Sequence, residues 1–216
     1  MSQGRAVAVI GAGGHAKVVL STLAALGLPV EVVLDDDPRR WGERLMGVEI
    51  LGPVSRLARL EVRRAVVAVG ANRTRQRLVH QVEAEVDDLH WMVVVHPSAV
   101  VHPTAILGPG SVVMAGAVVQ PDAQLGAHTI VNTGATVDHD CRGGDFVHLA
   151  PGVHLGGAVS LGEGAFLGIG TAAVPGASVG SWAVVGAGAT VVHDVPSGVT
   201  AVGTPARPLS ARGEAP

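Results

Sequence analysis

Residues 113–136 read VMAGAV, VQPDAQ, LGAHTI, VNTGAT, four consecutive blocks of six that each open on Val or Leu and carry a small residue in the fifth place. Extending the count both ways gives seventeen hexads, the first starting at Val95 and the last at Val191. The first position is Val or Leu in fifteen of the seventeen, Gly143 and Ala173 being the exceptions, and nothing larger than Val stands in the fifth. Gly fills the second position eight times, and on this count no insertion or deletion breaks the phase. A strict hexad makes each repeat one short strand plus a turn, with three repeats closing a triangular coil. The aliphatic first position then fills a prism and the fifth sits where the interior is narrow. Second-position Gly is expected to supply turn conformations that a Cβ forbids. Stacked coils pair their backbones with one another, leaving only the end coils open. Cys141 falls on a fifth position, which makes it a small buried filler rather than a nucleophile.

The residues ahead of the hexads follow another grammar. Ala6–Ile10 reads as a buried parallel strand, Gly11-Ala12-Gly13-Gly14 as a turn, and His15–Leu26 as a helix ending at Gly27. Val30–Leu34 is a second strand, stopped by Asp35-Asp36-Asp37-Pro38. Arg64–Val69 is a third, closed by Gly70-Ala71-Asn72, and Arg73–Glu85 is a second helix. Strand–helix–strand order implies a small parallel α/β unit of Rossmann-like type. The expected organisation is therefore an α/β domain over 1–93, the repeat domain over 94–208 and a flexible tail over 209–216.

Composition agrees with a narrow, repetitive core. Hydrophobic residues make up 48% of the 216, yet aromatics only 2%, with no Tyr and 30 Gly. A net charge of −3 leaves no electrostatic footprint for nucleic acid. One Cys excludes an intramolecular disulfide and suits a reducing cytoplasm. No leader pattern and no apolar run of about 18 residues point to a membrane, so a cytoplasmic protein is expected. His96, His102, His128, His154 and His193 show no repeated ligand spacing, so they read as surface or turn residues and no metal site is expected.

Two stretches carry chemistry. Gly11-Ala12-Gly13-Gly14-His15-Ala16 fits G-x-G-x-x-A between a strand and a helix, and Asp35 ends the next strand, a fair dinucleotide fingerprint. The unit nevertheless ends near residue 93, too short for a full nicotinamide domain. Backbone N–H groups at a helix N-terminus suit the diphosphate of a sugar nucleotide equally well. The second stretch is Asp138-His139-Asp140 in a hexad turn. A histidine flanked by carboxylates suits general-base chemistry, because an imidazole titrates in the range where it can take a proton near neutral pH. A neighbouring carboxylate can fix its tautomer and stabilise the imidazolium. The residues alone do not choose between Asp138 and Asp140.

Taken together these features resemble the hexapeptide-repeat acyltransferases built on a left-handed parallel β-helix. The branch is that of the sialic-acid O-acetyltransferases (NeuD) and the PglD-like N-acetyltransferases of UDP- or GDP-linked 4-amino sugars. The resemblance runs from about residue 6 to 207. Its markers are the glycine loop with His15, Leu34-Asp35-Asp36, Val69-Gly70-Ala71-Asn72, Asn132-Thr133, Val137 to Cys141, and Val202-Gly203-Thr204-Pro205-Ala206. It implies acetyl-CoA as co-substrate, His139 as base with Asp140 as its partner, and direct transfer without a covalent enzyme intermediate. It implies His148 near the thioester as a hydrogen-bond donor at the acyl end. Ile169 and Ala187 fall where the backbone meets the pantetheine arm, Ala187 standing where relatives have Gly. Gly13, Gly14, His15, Asp35, Asp36 and Gly70 fall around the nucleotide-linked amino sugar. The resemblance also implies a homotrimer with sites between adjacent helices, which allows His139 and His148 of one site to come from different subunits. The readings weighed beside it are O-acetylation of a sugar hydroxyl by the same base, and a non-catalytic sugar-nucleotide-binding β-helix.

Overall fold

The central strand of the first domain, β1 (Val7–Ile10), is wholly buried, as a short β-branched run flanked on both sides by parallel neighbours should be. The computed structural model describes residues 6–209; the tail assigned to 209–216 lies, beyond Leu209, outside the described residues. After β1 come α1 (Gly14–Ala25), β2 (Val30–Leu34), β3 (Arg44–Leu45), β4 (Val48–Gly52), β5 (Arg64–Val67), α2 (Asn72–Glu85) and β6 (His90–Trp91). The sheet order is β3-β4-β2-β1-β5-β6, parallel throughout except for the β3–β4 edge. This is a Rossmann-like arrangement, with the chain leaving β1 between strands that extend the sheet to opposite sides. The β3–β4 hairpin and β6 escape the sequence reading because each is short and none shows period-two alternation over enough residues.

From Val94 the chain winds a left-handed parallel β-helix of two-residue strands. Face one starts at Val94–Val95 and returns every eighteen residues to Val184–Val185, then Thr200–Val202. Face two runs from Val100–Val101 to Thr190–Val191 and face three from Ile106–Leu107 to Ser178–Val179. First-position residues such as Val131, Leu149 and Leu167 and fifth-position residues such as Ala135, Cys141 and Val159 form one buried cluster along the axis. Burial also pushes the Cys141 thiol above its ordinary pKa, so it stays protonated.

Two details of the hexad reading need correction. The last coil is short: Val179 bridges Val195 and Val184 pairs with Thr200, sixteen residues on instead of eighteen. Val195, counted as a fifth position, therefore takes the place of a first. Second-position Gly also serves close approach and not turn conformation. An added Cβ at Gly144 would stand 2.7 Å from the Glu163 nitrogen of the next coil, and at Gly156 2.8 Å from that of Pro175. The left-handed residue is the fourth in the hexad, and several positions force a side chain into it. Asp122, His128, Asp140, Phe146, Ala158 and Trp182 all have φ between 54° and 60°.

The two domains are packed together. Ala16, Val19, Leu20 and Leu23 of α1 join Val94, Val112, Met114 and Ile130 of face one in one apolar cluster. Helix α2 lies on the corner between faces three and one. There the left-handed rings of His128 and Phe146 stack 5.4 Å apart, Trp91 meets His128 edge-on, and Arg73 lies over Trp182. His128 is thus a turn residue, as its place in the hexad requires, but a buried one, so it departs from the surface reading. No helix among the described residues is long and apolar enough to cross a membrane.

Candidate active site

The glycine loop opens on a cleft of about 350 Å³ at the carboxyl ends of β1, β2 and β5, the position where open α/β sheets bind ligands. Gly13, Gly14, His15, Asp35, Asp36 and Gly70 all line it, together with Thr74 and Arg77. Gly13 caps α1 without any side-chain bond, so the helix presents free N–H groups to the cleft. The carboxylates hold the loop in shape. Asp35 accepts from the Ala12 and Asp37 N–H groups at 2.7 and 2.9 Å, and Asp36 accepts from Val54 N–H at 3.0 Å. His15 Nε2 is buried without a partner, and burial lowers the ring's pKa to about 4, so it is neutral at pH 7.

His139 stands on the corner between faces two and three. Its Nδ1 lies 2.8 Å from Asp140 Oδ2, while Asp138 turns its carboxylate to the His139 backbone N–H at 2.8 Å. The left-handed φ of 59° at Asp140 brings its carboxylate back beside the preceding ring. Both side chains are exposed. The hydrogen bond to Asp140 comes first, and then the charge of Asp138, in raising the imidazole pKa above the ordinary 6.5. Nε2 is left as the basic atom.

His148 lies on face one, beneath the first domain. Its Nδ1 donates to the Gly70 carbonyl at 2.9 Å, its Nε2 is 3.4 Å from Asn132 Nδ2, and Phe166 packs edge-on at 5.2 Å. Desolvation lowers its pKa to about 4, so the ring carries one proton, and that proton is on Nδ1. Nε2 is therefore an acceptor at neutral pH. The donor role expected of His148 at the acyl end is not open to the ring in this tautomer. Gly70 links this ring to the glycine-loop cleft and also lines a second hollow of about 380 Å³ with Asn72, Arg73, Phe166, Trp182 and Val184.

The first domain matches the family model described as the PglD N-terminal domain over residues 6–82. A search of curated proteins gave no match. Among solved structures, a variant of perosamine N-acetyltransferase from Caulobacter crescentus with CoA and GDP-perosamine shares 42% identity at a TM-score of 0.90, covering 95% of this chain and 97% of that one. The acetyltransferase domain of PglB from Neisseria gonorrhoeae FA1090, with acetyl coenzyme A, shares 45% at 0.89, covering 95% and 100%. WeeI from Acinetobacter baumannii AYE shares 27% at 0.85, covering 94% and 99%. The chain belongs to the PglD-like family of sugar N-acetyltransferases.

Within this acetyltransferase the sequence-selected residues fall into three groups. The six cleft residues come together in the first domain, with His148 reached through Gly70. Ile169 and Ala187 stand exposed, one coil apart, on the corner between faces one and two, where Gly188 N–H bonds to the Ile169 carbonyl at 2.8 Å. His139 occupies the corner opposite face one, away from both groups.

Arg75 is the residue that sequence reasoning missed. It lies 1% exposed between the domains. Its guanidinium donates to the carbonyls of Val69, Gly70, His128 and Phe146 and to Asn72 Oδ1, at 2.8 to 3.2 Å. Among the described residues no carboxylate bonds to it. In the sequence it is one of several arginines on a polar helix, with nothing to mark it. Among the described residues no group of His, Cys, Asp and Glu is gathered as a metal site would require.

Proposed function

We propose that the chain transfers the acetyl group of acetyl-CoA to the amine of a UDP- or GDP-linked 4-amino-deoxy sugar. The supporting observation is the anion-binding cleft at the uncapped start of α1, in a chain 42% identical to a perosamine N-acetyltransferase that holds CoA and GDP-perosamine. Added Cβ atoms at Gly13 and Gly14 would meet only open space, so nothing in the fold demands Gly there. Their bareness lets a diphosphate approach the backbone. His15, which also lines the cleft, completes the set around it. The sugar then passes Gly70 toward His148, whose Nε2 accepts a hydrogen bond from an N–H of the cofactor, while Ile169 and Ala187 border the pantetheine. The amine nitrogen attacks the thioester carbonyl, His139 Nε2 takes the proton that the nitrogen must lose, and the C–S bond breaks. The proton passes to the departing sulfur, giving the acetamide and CoA thiol. Asp140 holds Nδ1–H and stabilises the imidazolium in between.

The competing reading is O-acetylation of a free sugar, which offers a phosphate-type loop little to grip. Incubation with acetyl-CoA, a GDP- or UDP-linked 4-amino sugar and free sialic acid, followed by mass analysis, should show the nucleotide amine acetylated first. Faster acetylation of the free sugar would overturn the acceptor assignment.

Geometry also supports a homotrimer. The cleft and His148 lie on the face-one side of the prism and His139 on the opposite corner, so one chain cannot bring its own base to its own acceptor. A neighbouring prism related by rotation can. Light scattering should give three times the 21.8 kDa chain mass; a monomer at working concentration would refute the assembly.

A further inference from the structure

The corner that carries His139 repeats a pattern in the third hexad position. Reading up the coils every eighteen residues, it holds Pro103, Pro121, His139, Gly157 and Pro175. Across all seventeen hexads Gly157 is the sole third-position glycine. Its φ lies outside the left-handed region, and proline occupies the same place in the adjoining coil, so the backbone there accepts ordinary residues. Its neighbour Gly156 is different, because the next coil's backbone would meet a Cβ. At Gly157 the three nearest atoms to an added Cβ all belong to one imidazole: His139 Cε1 and Nε2 at 2.6 Å and Nδ1 at 3.2 Å. The ring lies in the space that a side chain at 157 would fill.

We infer that Gly157 is a positioning residue for the base, its missing Cβ being the seat on which the His139 imidazole rests while Asp140 holds the other edge. His139 Nε2, the atom that collects the proton, is one of the two ring atoms an alanine would strike. The ring is an exposed side chain and can swing away. The cost of the methyl group therefore falls on the geometry of the His139–Asp140 pair and leaves the coil intact. This rests on His139 being the base.

The test is Gly157→Ala in the full chain, alone and combined with His139→Ala. The single variant should keep its melting temperature to within about 2 °C, bind CoA as before and lose about tenfold or more in kcat. Its acid limb in kcat/KM should move to lower pH, since the ring loses the contact with Asp140 that raises its pKa. In the His139→Ala background the same substitution should change nothing, the signature of two residues acting through one group. Unchanged kcat in the single variant would overturn the inference while leaving the base assignment intact. So would an equal further loss in the double variant, or a large drop in melting temperature, either of which would give the glycine a role of its own. High activity in His139→Ala alone would instead remove the base assignment.

Discussion

His139→Ala should lower kcat by about 10²–10⁴, the usual contribution of a general base, with little change in CoA affinity. Two of its neighbours are poorly placed to replace it: Asp138 is turned to the backbone and Cys141 is buried with its thiol bonded to the Gly156 carbonyl. Asp140→Asn should do less damage to the rate and more to its pH dependence. In the wild type Asp140 and Asp138 raise the imidazole pKa, so His139 is protonated at a higher pH than an isolated histidine would be. Replacing the Asp140 carboxylate weakens the hydrogen bond that is the largest raising influence and also removes a smaller charge contribution, so the acid limb of kcat/KM should shift to lower pH. The acceptor amine also titrates, but identically for both enzymes, so the difference between the two profiles reports the enzyme. An acid limb that stays in place in Asp140→Asn would mean that His139 is not the titrating group.

The repeat domain was legible in the sequence because a prism three hexads around writes its interior directly into every first and fifth position. The six cleft residues were legible for a related reason, since a loop between a buried strand and a helix is a local feature. The short hairpin of β3 and β4 was not, because an edge made of two to five residues owes its strand state to the neighbours it pairs with. The sixteen-residue final coil was hidden by Val195, an aliphatic residue that suits either register. The tautomer of His148 could not be read either. It depends on the Gly70 carbonyl, 78 residues away in the chain, and on the burial that joining the domains creates. His139 and Asp140 are adjacent in sequence, yet the residues alone left Asp138 equally open; the family resemblance singled out Asp140, and the left-handed turn there supplies the physical reason.

Arg75→Met should be the most destabilising single change outside the prism core. Burial lowers the guanidinium pKa to about 9, which leaves it cationic at neutral pH and without a carboxylate. It serves two carbonyls of the loop after β5, two of the prism turns, and Asn72, whose own amide reaches the Gly164 carbonyl. Methionine fills a similar space but donates nothing. Each buried carbonyl left without its donor costs about 1–3 kcal/mol, partly offset because burying a charge was itself costly. A net loss of about 3–5 kcal/mol follows, and for a chain of this length each kcal/mol corresponds to roughly 2–4 °C. The melting temperature should therefore fall by roughly 6–20 °C in calorimetry. Arg75→Lys should recover only part of it, because an ammonium cannot span acceptors fanned across a planar fork. The loss should also reach the site. The Gly70 carbonyl takes hydrogen bonds from both Arg75 and His148, so freeing it loosens the ring beneath the cleft. Arg75→Lys should accordingly raise KM for the acceptor even at temperatures where it is fully folded. A melting temperature for Arg75→Met within 2 °C of the wild type would show that water can stand in for the guanidinium, and that the α1 face and the remaining contacts of α2 and Trp91 suffice to hold the domains together.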